Sequence, residues 1–446
     1  MEPLTFFTAR AGLVAFGLRF QQGEVWAVIR QQLQIKQKVR EHQPLDKLLD
    51  CFINILAGGK GLLEINFLVR PDVAVQRAFG RQTCAEQSTI SDTLNACTPE
   101  NVQQLREALQ IILRQASQSY HHDYAAAWQV FDIDTTGLPA GRLGEGVTKG
   151  YFAGRRSCRG RQLGRVVATA YDEIIVDQLY EGKRQLESSL SQLVLMTEKA
   201  LNLGPNQRKR TVLRVDAGGG SETNINWILN HDYFLLIKIH NWQRVMKLIT
   251  SVTNWYTDPH VPGRQLGWVE TPYAYAQPTR QVALRKLKSN GKWLQQVVVF
   301  NLTDEMLFDL AGQPMPQSGT TGEVLFAALA AYDQRGGGAE TQNKGDKQGL
   351  QLAHRNKHSF VAQEILVLLA QLAHNLLIWT RNDLARRDAY FAHYGIQRLV
   401  RDVLHIPGAV QIDAQGRVIR IALQGGHPLA RRVQTALKNL PWGDEM

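Results

Sequence analysis

The sequence predicts an α/β protein: a mixed-sheet region, a helical amino-terminal region and a further β-rich stretch. Three observations predict this. Apolar residues recur at helical spacing through the first 125 residues. From Trp128 short strand-like runs alternate with helical ones, the layer order of a mixed sheet. Residues 241–303 then return to strand-like alternation. A chain of 446 residues has room for two or three domains, and 44% hydrophobic with 20% charged residues is the balance of a folded chain.

In the amino-terminal region, Leu48, Leu49, Phe52, Ile53, Ile55 and Leu56 share one helical face. So do Val102, Leu105, Leu109, Ile112 and Leu113. Between them, Gln87-Ser88-Thr89-Ile90-Ser91-Asp92 reads equally as the capped start of a helix laid against DNA or of an ordinary bundle helix. Trp128–Asp134 reads as a strand that ends in the turn Thr135-Thr136-Gly137. Strand-like runs follow at 150–153 and 164–171, a helix at 188–203, and a strand at 211–215 that ends on Asp216. A helix at 223–229 and a strand at 233–239 complete this part. Further on, Asn290-Gly291 between Gln281–Leu287 and Val297–Phe300 is a hairpin signal. Helical patterns resume at 324–331 and 358–381, and 410–421 is a β-like tail.

The most apolar run, 365–379, is interrupted by Gln371, His374 and Asn375 and falls short of the roughly 20 apolar residues that span a bilayer. It reads as a buried helix, and no membrane partner is expected. No secretory pattern occurs in residues 1–20, and the four cysteines form no CxxC pair, which points to a reducing, cytoplasmic setting. Lys and Arg number 51 against 40 Asp and Glu, a net charge of +11 that favours a polyanionic partner.

Two acids at strand ends, Asp134 and Asp216, lie 82 positions apart. A third would complete an oxygen-rich site for hard divalent cations, the arrangement that phosphodiester cleavage uses. A strand-end Asp is also an ordinary turn former or helix cap. Asp132, two residues away on the same strand face, is a rival to Asp134.

The stretch Tyr332-Asp-Gln-Arg335-Gly-Gly-Gly-Ala-Glu340, followed after six residues by Lys347, resembles a signature of the DDE transposases of bacterial insertion sequences. The resemblance is to the insertion-sequence-4 superfamily, closest to its insertion-sequence-1380 family. Four residues separate Arg335 from Glu340 where the family has three. Phe131-Asp-Ile-Asp134-Thr-Thr-Gly resembles the family's first-Asp motif, and Leu213-Arg-Val-Asp216-Ala-Gly its second, without the usual aromatic. Glu86–Ser91, Val297–Thr303 and Ala370–Leu377 resemble three more segments in family order.

The resemblance implies an RNase H-like catalytic core with an all-β insertion domain. On that layout residues 1–125 form a helical DNA-binding domain, and 126–240 the first part of the core. Residues 241–320 form the insertion, 321–400 the second part of the core with the catalytic Glu, and 401–446 a tail. It also implies that Asp134, Asp216 and Glu340 bind two Mg²⁺ or Mn²⁺ ions, and that Tyr332, Arg335, Lys344 and Lys347 hold DNA phosphates near the cut. The activity implied is metal-dependent cleavage and strand transfer at an element's terminal inverted repeats, by a homodimer that grips two transposon ends and target DNA.

Two basic stretches fit such a partner. Residues 142–165 carry a net +6, including Arg155, Arg156, Arg159 and Arg161. Residues 271–292 hold Arg285, Lys286 and Lys288 and no acid, next to Trp293. In related transposases an insertion-domain tryptophan can stack on a flipped base; Trp255, Trp268 and Trp293 are the candidates here. Two competing readings are a non-catalytic DNA-binding descendant and a glycosyltransferase that uses Asp132-Ile-Asp134 as its metal motif; the latter leaves the basic excess and the Glu340 block unexplained.

Overall fold

The computed structural model describes residues 2–150, 152, 158–316 and 321–438. They form two compact units: Met1–Ser117 with Leu138–Arg161 and Gln342–Met446, and Gln118–Gly137 with Gln162–Thr341. We call these unit 1 and unit 2. The strands in chain order are β1 (Leu4–Thr8), β2 (Gln129–Pro139), β3 (Thr148–Lys149), β4 (Arg159–Ala168), β5 (Glu173–Glu181), β6 (Thr211–Val215) and β7 (Phe234–Lys238). They continue with β8 (Tyr256–Thr257), β9 (Arg264–Trp268), β10 (Arg280–Leu287), β11 (Trp293–Phe300), β12 (Gly408–Ile412) and β13 (Val418–Leu423).

The larger sheet runs β3-β4-β2-β6-β7-β11-β10-β9-β8, with β5 also paired to β4. At its centre β2, β6 and β7 are parallel. All five residues of β6, Thr-Val-Leu-Arg-Val, are buried, the near-continuous apolar run expected of a parallel strand covered on both faces. Its one charged residue, Arg214, stands opposite Asp132 of β2. Nε and Nη2 donate to the two carboxylate oxygens at 2.6 and 3.0 Å, and Nη1 donates to the Ala331 carbonyl at 2.6 Å. In this fork-to-fork pair Asp132 is fully buried, with both carboxylate oxygens engaged by its partner.

The segment expected as an all-β insertion domain, 241–320, contains β8–β11 but also the helices Trp242–Ile249 and Asp304–Ala311, and it groups with the rest of unit 2. Residues Val298–Phe300 of β11 pair antiparallel with Leu236–Lys238 of β7, so the inserted strands extend the core sheet. The predicted Asn290-Gly291 turn joins β10 and β11, with Gly291 at φ 74°, where a side chain would be strained.

In unit 1 the amino-terminal helices share one core with the helix Phe360–Arg387 and with β12 and β13, so neither 1–125 nor 401–446 stands alone. Residues 4–8 are not helical: β1 pairs with β12, Phe6 opposite Val410. The helix Phe360–Arg387 is, at 28 residues, long and apolar enough to cross a membrane, longer than the sequence suggested. Its most apolar window is 94% buried within the protein. The polar residues that interrupt it are accommodated there: His374 Nδ1 lies 2.7 Å from Asp346 Oδ1, both fully buried.

Replacing Arg214 with Met should destabilise unit 2 by about 3–5 kcal/mol, since it leaves Asp132 buried without its partner. Thermal melts of the variant check this. A melt equal to the wild type's would mean that Asp132 is not held as an ion.

Candidate active site

The parallel register brings the first two acids together. Ile133 of β2 lies opposite Val215 of β6. Asp134 and Asp216 are therefore the next residues on neighbouring strands, which lie roughly 4.8 Å apart in a sheet. Asp134 is nearly buried, and Oδ1 accepts a hydrogen bond from Thr135 N at 2.9 Å. Asp216 ends its strand by capping the turn Ala217–Gly219, accepting from Gly218 N at 2.8 Å through Oδ1.

Glu340 arrives from 206 positions beyond Asp134, in the first turn of the helix Ala339–Gln348. The link is Arg335, in the short turn Gln334–Gly336. Its Nη1 donates to Glu340 Oε1 at 2.9 Å, and Nη2 lies 3.1 Å from Asp134 Oδ1. Arg335 is 6% exposed, and its Nε and Nη2 have no hydrogen-bond partner among the described residues, so the contact with Asp134 is an ion pair without hydrogen-bond geometry. Gly338 lets this turn approach: a Cβ there would stand 1.8 Å from Asp132 Oδ2.

The electrostatics follow from the crowding. Burial pushes the Asp134 carboxyl up to about 6; Arg335 and the Thr135 amide oppose the shift, while Asp216 and Glu340 add to it. Arg335 is held firmly charged against its own burial, chiefly by Asp134. Three carboxylates are the donor type that hard divalent cations take. Among the described residues, however, no three His, Cys, Asp or Glu side chains gather closely enough to hold a metal as they stand. The positive charge between Asp134 and Glu340 is that of Arg335.

The other predicted residues divide. Tyr332 is at the site, but it is 4% exposed and its hydroxyl donates to the Val215 carbonyl at 3.4 Å, away from any open surface for phosphate. Lys344 and Lys347 lie further along the helix Ala339–Gln348, Lys344 exposed and Lys347 half-buried. Arg155 and Arg156 lie outside the described residues. Arg159 is exposed. Arg161 must be withdrawn as a DNA contact. It is 1% exposed, and its guanidinium donates to the carbonyls of Glu145, Lys357 and His358 at 2.8–2.9 Å.

On the β9–β11 face, the Arg285 guanidinium lies 4.0 Å from the Trp255 ring centre and 4.9 Å from that of Trp293. Lys286 and Lys288 are exposed beside it. Trp268 packs instead against the core, near Phe300. Sequence reasoning missed Lys238, whose Nζ lies 4.4 Å from the Tyr332 ring centre. A strand-end lysine carries no motif, so the signal was absent from the sequence.

No family model matches the chain, and no curated protein matches it. Among solved structures it is similar to the piggyBac transposase in a cryo-EM structure of its synaptic complex with hairpin DNA. The TM-score is 0.46 at 11% identity, over 91% of this chain and 82% of that one.

A carbon-13 titration of Asp134 in metal-free protein should have its midpoint near 6. Arg335→Gln should move it higher still, because the group that opposes the shift is gone. A raised carboxyl favours the folded state when protonated: that contribution is complete below about pH 4 and is lost as pH rises through about 6. A midpoint near 4 in the wild type would contradict the desolvated site.

Proposed function

We propose that this protein is a DNA transposase of the DDE type, with an RNase H-like core whose acids are Asp134, Asp216 and Glu340. The observation that carries the proposal is that Arg335 joins Asp134 to Glu340 at the sheet end where Asp134 and Asp216 adjoin. A turn former or a cap needs no such convergence. The net charge of +11 and the exposed Arg159, Lys286, Lys288 and Lys344 support a nucleic-acid partner.

Two Mg²⁺ or Mn²⁺ ions held by these three acids would supply activation of the attacking oxygen and stabilisation of the leaving one. The chain's own residues do the rest. Asp216, with Oδ1 engaged by Gly218 N, has a fixed side-chain direction. Arg335 brings paired donors suited to a phosphate once its carboxylates turn to the ions. The Arg285 and tryptophan cluster offers a stacking surface for an unpaired base. The substrates on this reading are transposon ends and target DNA, the assembly a homodimer that holds two ends, and the setting the bacterial nucleoid.

One observation favours a second reading, a DNA-binding protein that kept the fold without the chemistry: the three acids do not form a ready metal cluster. Nicking separates the two. With Mn²⁺ and DNA from the flanks of its own coding sequence, the wild type should cut, and Asp134→Asn, Asp216→Asn and Glu340→Gln should each lose cutting by at least roughly 100-fold while binding DNA nearly as well. Binding without metal-dependent cutting by the wild type would establish the second reading.

A further inference from the structure

The acid-bearing end of unit 2 contains a second cation that the site described above does not use. Lys238 is the last residue of β7, the parallel neighbour of the strand that leads into Asp216. Its main chain is fixed from two sides. Lys238 pairs with Val298 of β11. The loop after Asp216 packs on the Lys238 carbonyl so closely that only glycine fits at position 220, where a Cβ would stand 1.7 Å from that oxygen. Two residues on, His240 N donates to the Gly220 carbonyl at 2.9 Å, and His240 Nδ1 lies 2.9 Å from the Ala217 carbonyl. Lys238 and Asp216 are thereby parts of one rigid corner.

The ammonium is half-buried over the Tyr332 ring, and no carboxylate among the described residues pairs with it at ion-pair distance. Burial pulls its pKa down, Asp333 and Asp216 pull it up, and Arg335 and Arg264 pull it down. The nearby acids are committed elsewhere: Asp333 pairs with Arg264, and Asp216 caps its own turn. Withdrawing an ammonium from water without a counter-ion costs free energy that a ring face returns only in part. A cation held in that condition beside Asp216 and Tyr332 is arranged for an anion that comes from outside.

We propose that Lys238 is a phosphate-binding residue of the active site, taking a backbone oxygen of the DNA at or next to the bond being cut, with the Tyr332 ring as the platform that holds the ammonium. A lysine suits this task because a compact charge with rotatable donors follows a phosphate through a changing geometry. The inference rests on the DNA-cleaving reading, and its test separates the two.

Lys238→Gln, Lys238→Met and Lys238→Arg are compared with the wild type in three measurements: thermal melting, binding of a short labelled duplex from the coding sequence's own flank over a salt series, and Mn²⁺-dependent nicking of that duplex. Met keeps an aliphatic stem on the Tyr332 ring, so a loss shared by Gln and Met at unchanged melting temperature is a loss of charge. The expected result is a salt slope lower by roughly 0.9 in Gln and Met, nicking slower by roughly 100-fold, and recovery of most of both in Arg. Unchanged slope and nicking in Gln and Met would overturn the proposal and leave the DNA-cleaving function standing. A wild type that binds but does not nick would remove the cleavage reading, and the slope alone would then decide the phosphate contact. A wild type that fails to bind DNA would overturn both.

Discussion

Asp134 loses most of its hydration where Asp216 and the exposed Glu340 also bring negative charge, and the guanidinium of Arg335 offsets that cost. Arg335 is 6% exposed, and its guanidinium lies within 3.1 Å of both Asp134 and Glu340. Removing one partner from a buried pair typically costs about 3–5 kcal/mol, more than a surface ion pair is ever worth. The guanidinium is also a chain closure. It fastens the middle of β2 to the first turn of a helix 206 positions later, and the glycine run before that helix lets the turn press against Asp132. On the proposed reading, divalent ions held by these carboxylates would take over the part that the Arg335 charge now plays.

Two aspartates on one strand show how environment decides role. Asp132 and Asp134 share a face of β2. Asp132 meets Arg214 in register and accepts two charge-assisted hydrogen bonds in the interior, which makes it structural. Asp134, one step beyond the last registered pair, accepts from the Thr135 amide and shares Arg335 with Glu340, and burial pushes its carboxyl up to about 6.

What was legible in the sequence was what local chemistry dictates. The change from helical to strand period at Trp128, the Asn290-Gly291 turn and the position of Asp216 just past a strand end follow from nearest neighbours, whereas the turn expected at Thr135–Gly137 does not form, because β2 runs on through Asp134 to Pro139. Glu340 was placed by resemblance alone, and in the structure it pairs with Arg335. What was not legible depends on distant partners. The strand at residues 4–8 exists because Val410 and its neighbours pair with it. The β-rich stretch looked like a domain because alternation says nothing about which strand lies next to it; three residues of β11 on β7 make it part of the core sheet. Arg161 counted as a surface charge until three carbonyls claimed it. The polar residues that argued against a long apolar helix are satisfied inside unit 1, as His374 is by Asp346.

The central claim, that Asp134, Asp216 and Glu340 form a divalent-cation site for which Arg335 stands guard, is tested most directly by anomalous diffraction from crystals grown with Mn²⁺. The account predicts manganese density bounded by these three carboxylates, with the Arg335 guanidinium moved off Asp134. Crystals in which manganese is absent from the site, or lies elsewhere while Arg335 still bridges Asp134 and Glu340, would contradict it.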